Sequence, residues 1–260
     1  MVFDGHSDLL YDVTRHRMAG ENRVLGHWRG IPVGVAIGDN QASFLGAAHG
    51  AGSVLVNIGT GSQVSLVSDR PVDSADVETR PYFDGKYLLV GCSLCGGKSY
   101  ALLEGFFRET LRLFRGEESA PLYDVMNRVL EQQKTTDVVV DTRFMGTRQH
   151  ADARASIRQL TPENFTPQDL ICGLVQGMSD ELYGLFDAMQ AGCDVLIGSG
   201  NGVRKNPALR RLLSERFGQP MQVPRHTEEA SYGAALFSLL CIGAYADVDQ
   251  VQQLIQYEPE

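Results

Sequence analysis

Four short stretches hold the residues that could do chemistry in this chain. The first is VAIGDNQASFLGA, Val35 to Ala47. The apolar run of Val33, Val35 and Ile37 reads as a buried strand that breaks at Gly38, and a carboxylate, Asp39, stands where it ends. A carboxylate held there can be aimed into a cleft and accept the proton of a substrate hydroxyl. It can also cap the helix that the small residues after it would start, a position aspartate favours. The second stretch is Gly59-Thr60-Gly61-Ser62, between two β-rich arms. Glycines let backbone approach a ligand closely, and exposed amides with a threonine hydroxyl suit phosphate oxygens. An ordinary hairpin turn has the same composition.

The third stretch, CSLCGGKS from Cys92 to Ser99, approximates the phosphate-binding pattern GxxxxGK[ST]. Its register is faulty. Cys92 occupies the first glycine position, and Gly91 comes one place too early. A tight strand-to-helix turn is the plainer account of Gly96, Gly97 and Lys98. The fourth is IGSGNGVRKN, Ile197 to Asn206, where Val203 replaces the last glycine of the dinucleotide pattern GxGxxG. No strand with a terminal acid follows at the ribose distance, so an NAD enzyme is not indicated. A strand-to-helix turn at the carboxyl end of a sheet still suits a nucleotide.

These residues need elements to place them. Ser53 to Asp69 predicts a hairpin around the second stretch, and KYLLVGCSL predicts a third buried strand. GGKSYALLEGFFRETLRLF and ICGLVQGMSDELYGLFDAM have helical apolar spacing. Between them, from about Arg115 to Pro167, the chain is polar and turn-rich, with a short helix near Tyr123 to Gln132. CDVLIGSGNG reads as strand then glycine turn, and NPALRRLLSERFG as a capped helix closing on Gly218. PMQVP predicts a short strand and EEASYGAALFSLLCIGAYA a buried terminal helix, with Glu228 and Glu229 at its dipole-favoured start. The first thirty or so residues are weakly patterned and read as a linker.

Composition excludes several classes. The chain has 260 residues, 43% of them hydrophobic, enough for a core. A net charge of -9 argues against a nucleic-acid partner. No apolar run reaches the roughly 18 residues of a membrane helix, and the start lacks a signal pattern. Five cysteines, an odd number in a large chain, point to reduced thiols and a cytoplasmic location. Cys92 and Cys95 form a CxxC without the second ligand pair that zinc would need. His6, His27, His49, His150 and His226 have no evident partners.

In their order, the motifs resemble the FGGY family of carbohydrate kinases. The matching stretches are GDNQASFLGA, NIGTGS, GCSLCGGKSYALLEGFFR, GSGNGVRKNPALRRLLSERFG and EEASYGAALF, covering roughly Pro32 to Leu240. The wording is most similar to sedoheptulokinase-like members, then xylulokinase-like ones. The resemblance implies an α/β, actin-like ATPase (ribonuclease H-like) domain with a mixed five-stranded sheet flanked by helices. It implies ATP and Mg2+, and a ketose hydroxyl as acceptor. Asp39 would be the catalytic base and face the magnesium through water. Asn40 would contact sugar, and Gly59, Thr60, Gly61, Gly96 and Gly97 would hold phosphates. Gly198, Gly200, Asn201 and Arg204 would bracket adenosine, although Asn201-Gly202 departs from the family's small glycine-alanine motif.

Family members are longer, with a first domain that supplies a Gly-Thr phosphate hairpin and most of the sugar pocket. FDGHSDL near the start does not match that hairpin. The expectation is therefore a remnant of an interdomain segment at 1–30 and the C-terminal nucleotide-binding domain at 31–260. On this reading the chain lacks the N-terminal sugar-binding domain, binds ATP weakly and does not phosphorylate sugar unaided. It would need a partner supplying that domain, and its open apolar face leaves a homodimer as one outcome. Two other readings remain: a P-loop NTPase built on CSLCGGKS, and a non-catalytic actin-like nucleotide module.

Overall fold

Alternating apolar residues build the centre of the molecule. A computed structural model of the chain describes residues 24–28, 30–50, 52–132 and 135–259. In β3 (Ser53–Ile58) the side chains of Val54, Val56 and Ile58 face one helical layer and Leu55 faces the other. This is the period-2 alternation of a strand covered on both faces. β4 (Ser62–Ser68), β6 (Tyr87–Ser93) and β9 (Val195–Ser199) extend the sheet, and β10 (Met221–Gln222) and β5 (Val77–Pro81) form its edges. The order is β10-β9-β3-β4-β6-β5. β9 runs parallel to β3 and β10, whereas β4 is antiparallel to both β3 and β6, so the sheet is mixed.

The sheet has six strands, not the five that the resemblance implies. The residues VETRP of β5 pair along β6 from Val77–Gly91 to Pro81–Tyr87, yet only Val77 is buried. An edge strand needs little apolar surface and tolerates a proline.

Helices cover both faces, giving three layers. On one side α1 (Asp39–Ala47) lies between the sheet and α7 (Glu229–Cys241). On the other, α4 (Pro167–Asp187) and α6 (Pro207–Phe217) pack with Val56, Ile58, Leu89 and Leu196. α2 (Gly96–Arg115), α3 (Tyr123–Gln132) and the short α5 (Gly200–Lys205) and α8 (Val248–Gln252) complete the described helices. None of these is long and apolar enough to cross a membrane. α6 begins as its sequence suggests, with Asn206 Oδ1 accepting from the Leu209 N–H (3.0 Å), and ends on Gly218 at φ +70°.

Two stretches differ from the sequence reading. Val24–Trp28, within the supposed linker, forms β1 and pairs with β2 (Ile31–Gly34). The supposed strand through Ile37 ends at Gly34. Val35 and Ile37 are buried by Leu236, Phe237 and Leu240 of α7, not by a sheet ladder. The turn-rich segment also contains a small ribbon, β7 (Val139–Asp141) with β8 (Ser156–Arg158). FDGHSDL and His6 lie outside the described residues.

Candidate active site

Three strands end at the same edge of the sheet. β3, β9 and β6 all point their carboxyl ends there, and each runs into a glycine turn. The register Asn57–Ser199, Ile58–Ser62 and Ser62–Ser93 sets the three turns side by side. The edge beyond strand carboxyl ends is where open α/β sheets bind ligands.

Backbone bonds lock the first two turns together. The Gly97 N–H donates to the Gly59 carbonyl (3.0 Å) and the Lys98 N–H to the Thr60 carbonyl (3.0 Å). Within the hairpin tip the Gly59 N–H donates to the Gly61 carbonyl (2.9 Å). A Cβ on Gly96 would lie 2.6 Å from the Gly61 carbonyl carbon, and one on Gly97 would collide with the Gly59 oxygen. Glycine at both places allows α2 to start directly on the hairpin.

This packing decides between the two readings of CSLCGGKS. Two N–H groups of the first turn of α2, which would otherwise be open, already serve the hairpin. The Ser99 hydroxyl, which a P-loop would offer to magnesium, is fully buried and bonds the Cys95 and Thr142 carbonyls. The stretch is a strand-to-helix junction, and the P-loop reading is not favoured.

The third turn clasps the hairpin from the other side. Gly200 has φ +82°, and a Cβ on it would lie 2.6 Å from the Ile58 oxygen. Asn57 Nδ2 donates to Ser199 Oγ (2.8 Å). Thr60 and Asn201 are exposed at the rim, while Gly198 is buried in β9. Among the described residues the Thr60 amide and hydroxyl donate no hydrogen bond within the protein, and Thr60 is exposed.

Arg204 behaves differently from its neighbours. Its Nη1 donates to the Pro224 carbonyl (2.8 Å), and its Nη2 to the His226 carbonyl (2.6 Å) and Glu229 Oε1 (2.9 Å). Glu258 Oε1 lies 3.5 Å from Nη1. The guanidinium grouped with the adenosine residues is thus committed inside the protein.

Asp39 is the first residue of α1, and Gly38 is the N-cap. The helix dipole favours its negative charge there. Its Oδ1 accepts from the Asn40 N–H (2.8 Å) and from Asn40 Nδ2 (3.3 Å), and its side chain is exposed. Among the described residues no hydrogen bond joins Asp39 to the three turns. The sequence reading did not single out Asn57 and Ser199, whose bond spans 142 positions. Their one local signal is a polar residue near the end of an apolar strand.

The model of the FGGY family of carbohydrate kinases, C-terminal domain, matches residues 54–240. Mouse (Mus musculus) sedoheptulokinase is 27% identical over 222 residues, covering 81% of this chain and 46% of that protein. The ligand-bound xylulose kinase from Lactobacillus acidophilus superposes with a TM-score of 0.76 at 20% identity, over 88% of this chain and 47% of that one. Plasmodium falciparum glycerol kinase with ADP gives 0.67 at 24% identity, over 86% and 46%. The chain spans about half the length of the relatives it matches.

Proposed function

The chain belongs to the FGGY family of carbohydrate kinases, and on that premise we propose that it is the nucleotide-binding, base-bearing half of an ATP-dependent ketose kinase. The observation that carries the proposal is the set of three interlocked glycine turns at the carboxyl ends of β3, β6 and β9. The Thr60 amide and hydroxyl, at the tip of Gly59-Thr60-Gly61, suit phosphate oxygens. Gly96 and Gly97 act by letting the hairpin sit on α2. Gly198, Gly200 and Asn201 form the adenosine side, and Arg204 holds that side in place from within. The structure of a similar kinase with ADP supports a nucleotide as ligand.

Asp39 is proposed to take the proton of a sugar hydroxyl as its oxygen attacks the γ-phosphorus. The new O–P bond forms as the bridging bond to the β-phosphate breaks, and ADP leaves. Asn40 orients Asp39 and stands next to the sugar. Among the described residues no group of three or more His, Cys, Asp or Glu could hold a metal. Magnesium keeps several waters and is bound by substrate phosphates with one or two carboxylates. A lone, exposed Asp39 fits that role through water, and the ion would offset phosphate charge. Most sugar contacts are assigned to the half of the relatives that this chain does not span. Five cysteines that form no disulfide suit a reducing compartment such as the cytoplasm.

The test is ADP release from Mg-ATP with sedoheptulose, xylulose or ribulose, with the half of the relatives that this chain does not span supplied by a relative's N-terminal domain. We expect ketose-dependent release, highest with sedoheptulose. Asp39→Asn should lower it by at least ~100-fold while nucleotide affinity changes less than about threefold. Equal loss of binding and turnover in that variant would refute the assignment of Asp39 as base.

A further inference from the structure

The proposed site has two parts that no hydrogen bond joins directly among the described residues. The glycine turns belong to the sheet edge, and Asp39 belongs to the layer of α1 and α7. A buried connector runs between these parts. Arg204 is on α5, four positions after Gly200. Its Nη2 reaches Glu229 Oε1 at 2.9 Å, and both side chains are largely buried. Glu229 is the first residue of α7.

From there the path is backbone against backbone. A Cβ on Gly46 of α1 would collide with the Glu229 carbonyl and lie 2.6 Å from the Gly233 nitrogen. One on Gly233 would lie 2.7 Å from the Ala42 carbonyl carbon. Ala42 is within one turn of Asp39. Contacts of this kind leave no side chain to rotate, so α7 and α1 move as one body. The planar fork of Arg204 also holds the Pro224 and His226 carbonyls that lead into α7, a set that one lysine ammonium cannot reproduce.

We infer that Arg204 and Glu229 are a positioning pair, which sets where the Asp39 helix stands relative to the nucleotide turn. The inference rests on the reading of the glycine turns and Asp39 given above. Nucleotide bound at Gly200 and Asn201 would restrain α5, and the pair would pass that restraint to α7 and α1.

The experiment is hydrogen exchange followed by mass spectrometry on the whole chain, with and without Mg-ADP. In the unaltered protein ADP is expected to slow exchange in segments containing Gly59–Gly61 and Gly200–Asn201, and also in α1. In Glu229→Gln and in the more conservative Arg204→Lys, the turns should still slow. The slowing of α1 should shrink at least threefold. A purely structural pair would instead raise exchange in α1 equally with and without ADP. Full slowing of α1 in either folded variant overturns the inference, as does slowing of the turns without α1 in the unaltered protein. Absence of slowing at every turn is a different result, which overturns the nucleotide assignment and the inference with it.

Discussion

At the scale of single residues, His226 is the group most sensitive to its surroundings. Its ring stacks on Tyr232 with centroids 4.1 Å apart, and its Nε2 is buried without a partner. Burial lowers its pKa below the ordinary 6.5, and the nearby Arg204 charge adds to this. Glu229 and a hydrogen bond with the Gly46 backbone oppose the shift without reversing it. The folded protein therefore prefers neutral His226, whereas the unfolded chain takes up a proton near pH 6.5. Stability from this group is present above that pH and is lost as pH falls through the lowered value. The melting temperature should drop between about pH 7.5 and 5.5. It should drop less in His226→Phe, which keeps the ring stack. Parallel pH curves for the two proteins would show that the histidine is not the cause.

At the scale of elements, the crossing of α1 and α7 is decided by Gly46 and Gly233. Their backbones approach too closely for any side chain. Gly233→Val forces the helices apart, and overpacking of this kind costs roughly 1–3 kcal/mol, more where only backbone can yield. Gly105 in the interior of α2 is different, because a methyl group added there would have nothing within 4 Å. Gly105→Ala should therefore stabilise by about 0.5–1 kcal/mol, the helix preference of alanine over glycine. Urea unfolding of both variants measures the contrast, and similar midpoints would contradict the packing argument. The same logic explains why CSLCGGKS forms a junction. Its glycines are used for contact with the hairpin, leaving Cys95 buried and its thiol free.

At the scale of the molecule, the helical layers on both faces of the six-stranded sheet make the turns a rigid rim. Nucleotide that binds only the folded state stabilises it by about 2.7 kcal/mol at one hundred times its Kd. For a domain of this size that corresponds to a rise in melting temperature of roughly 5–10 °C. Mg-ADP should produce such a shift in the chain by itself, and a ketose alone should not. A shift with ketose alone would place a complete sugar pocket on these residues and remove the need for a second half. Leu113 and Phe114 on α2 are 79% and 81% exposed, so the molecule carries apolar surface away from the rim as well.

Local features were legible without the fold. The hairpin around Gly59-Thr60-Gly61, the helix from Tyr123 to Gln132 and the capped α6 each follow from residues within a few positions of one another. Strand alternation and helix caps act at short range, so the sequence alone determined these elements and the order of the glycine turns. Tertiary structure decided what the turns touch. It placed Gly97 on Gly59, joined β5 to the sheet by pairing rather than by apolar content, and buried Val35 and Ile37 under α7. It also turned Arg204 inward to Glu229, where the family resemblance grouped it with the residues expected to bracket adenosine. Apart from β5, which neighbours β6 in the chain, such partners lie tens of positions or more apart, and contacts at that separation impose no period or spacing on the chain. Only the folded backbone brings them within reach.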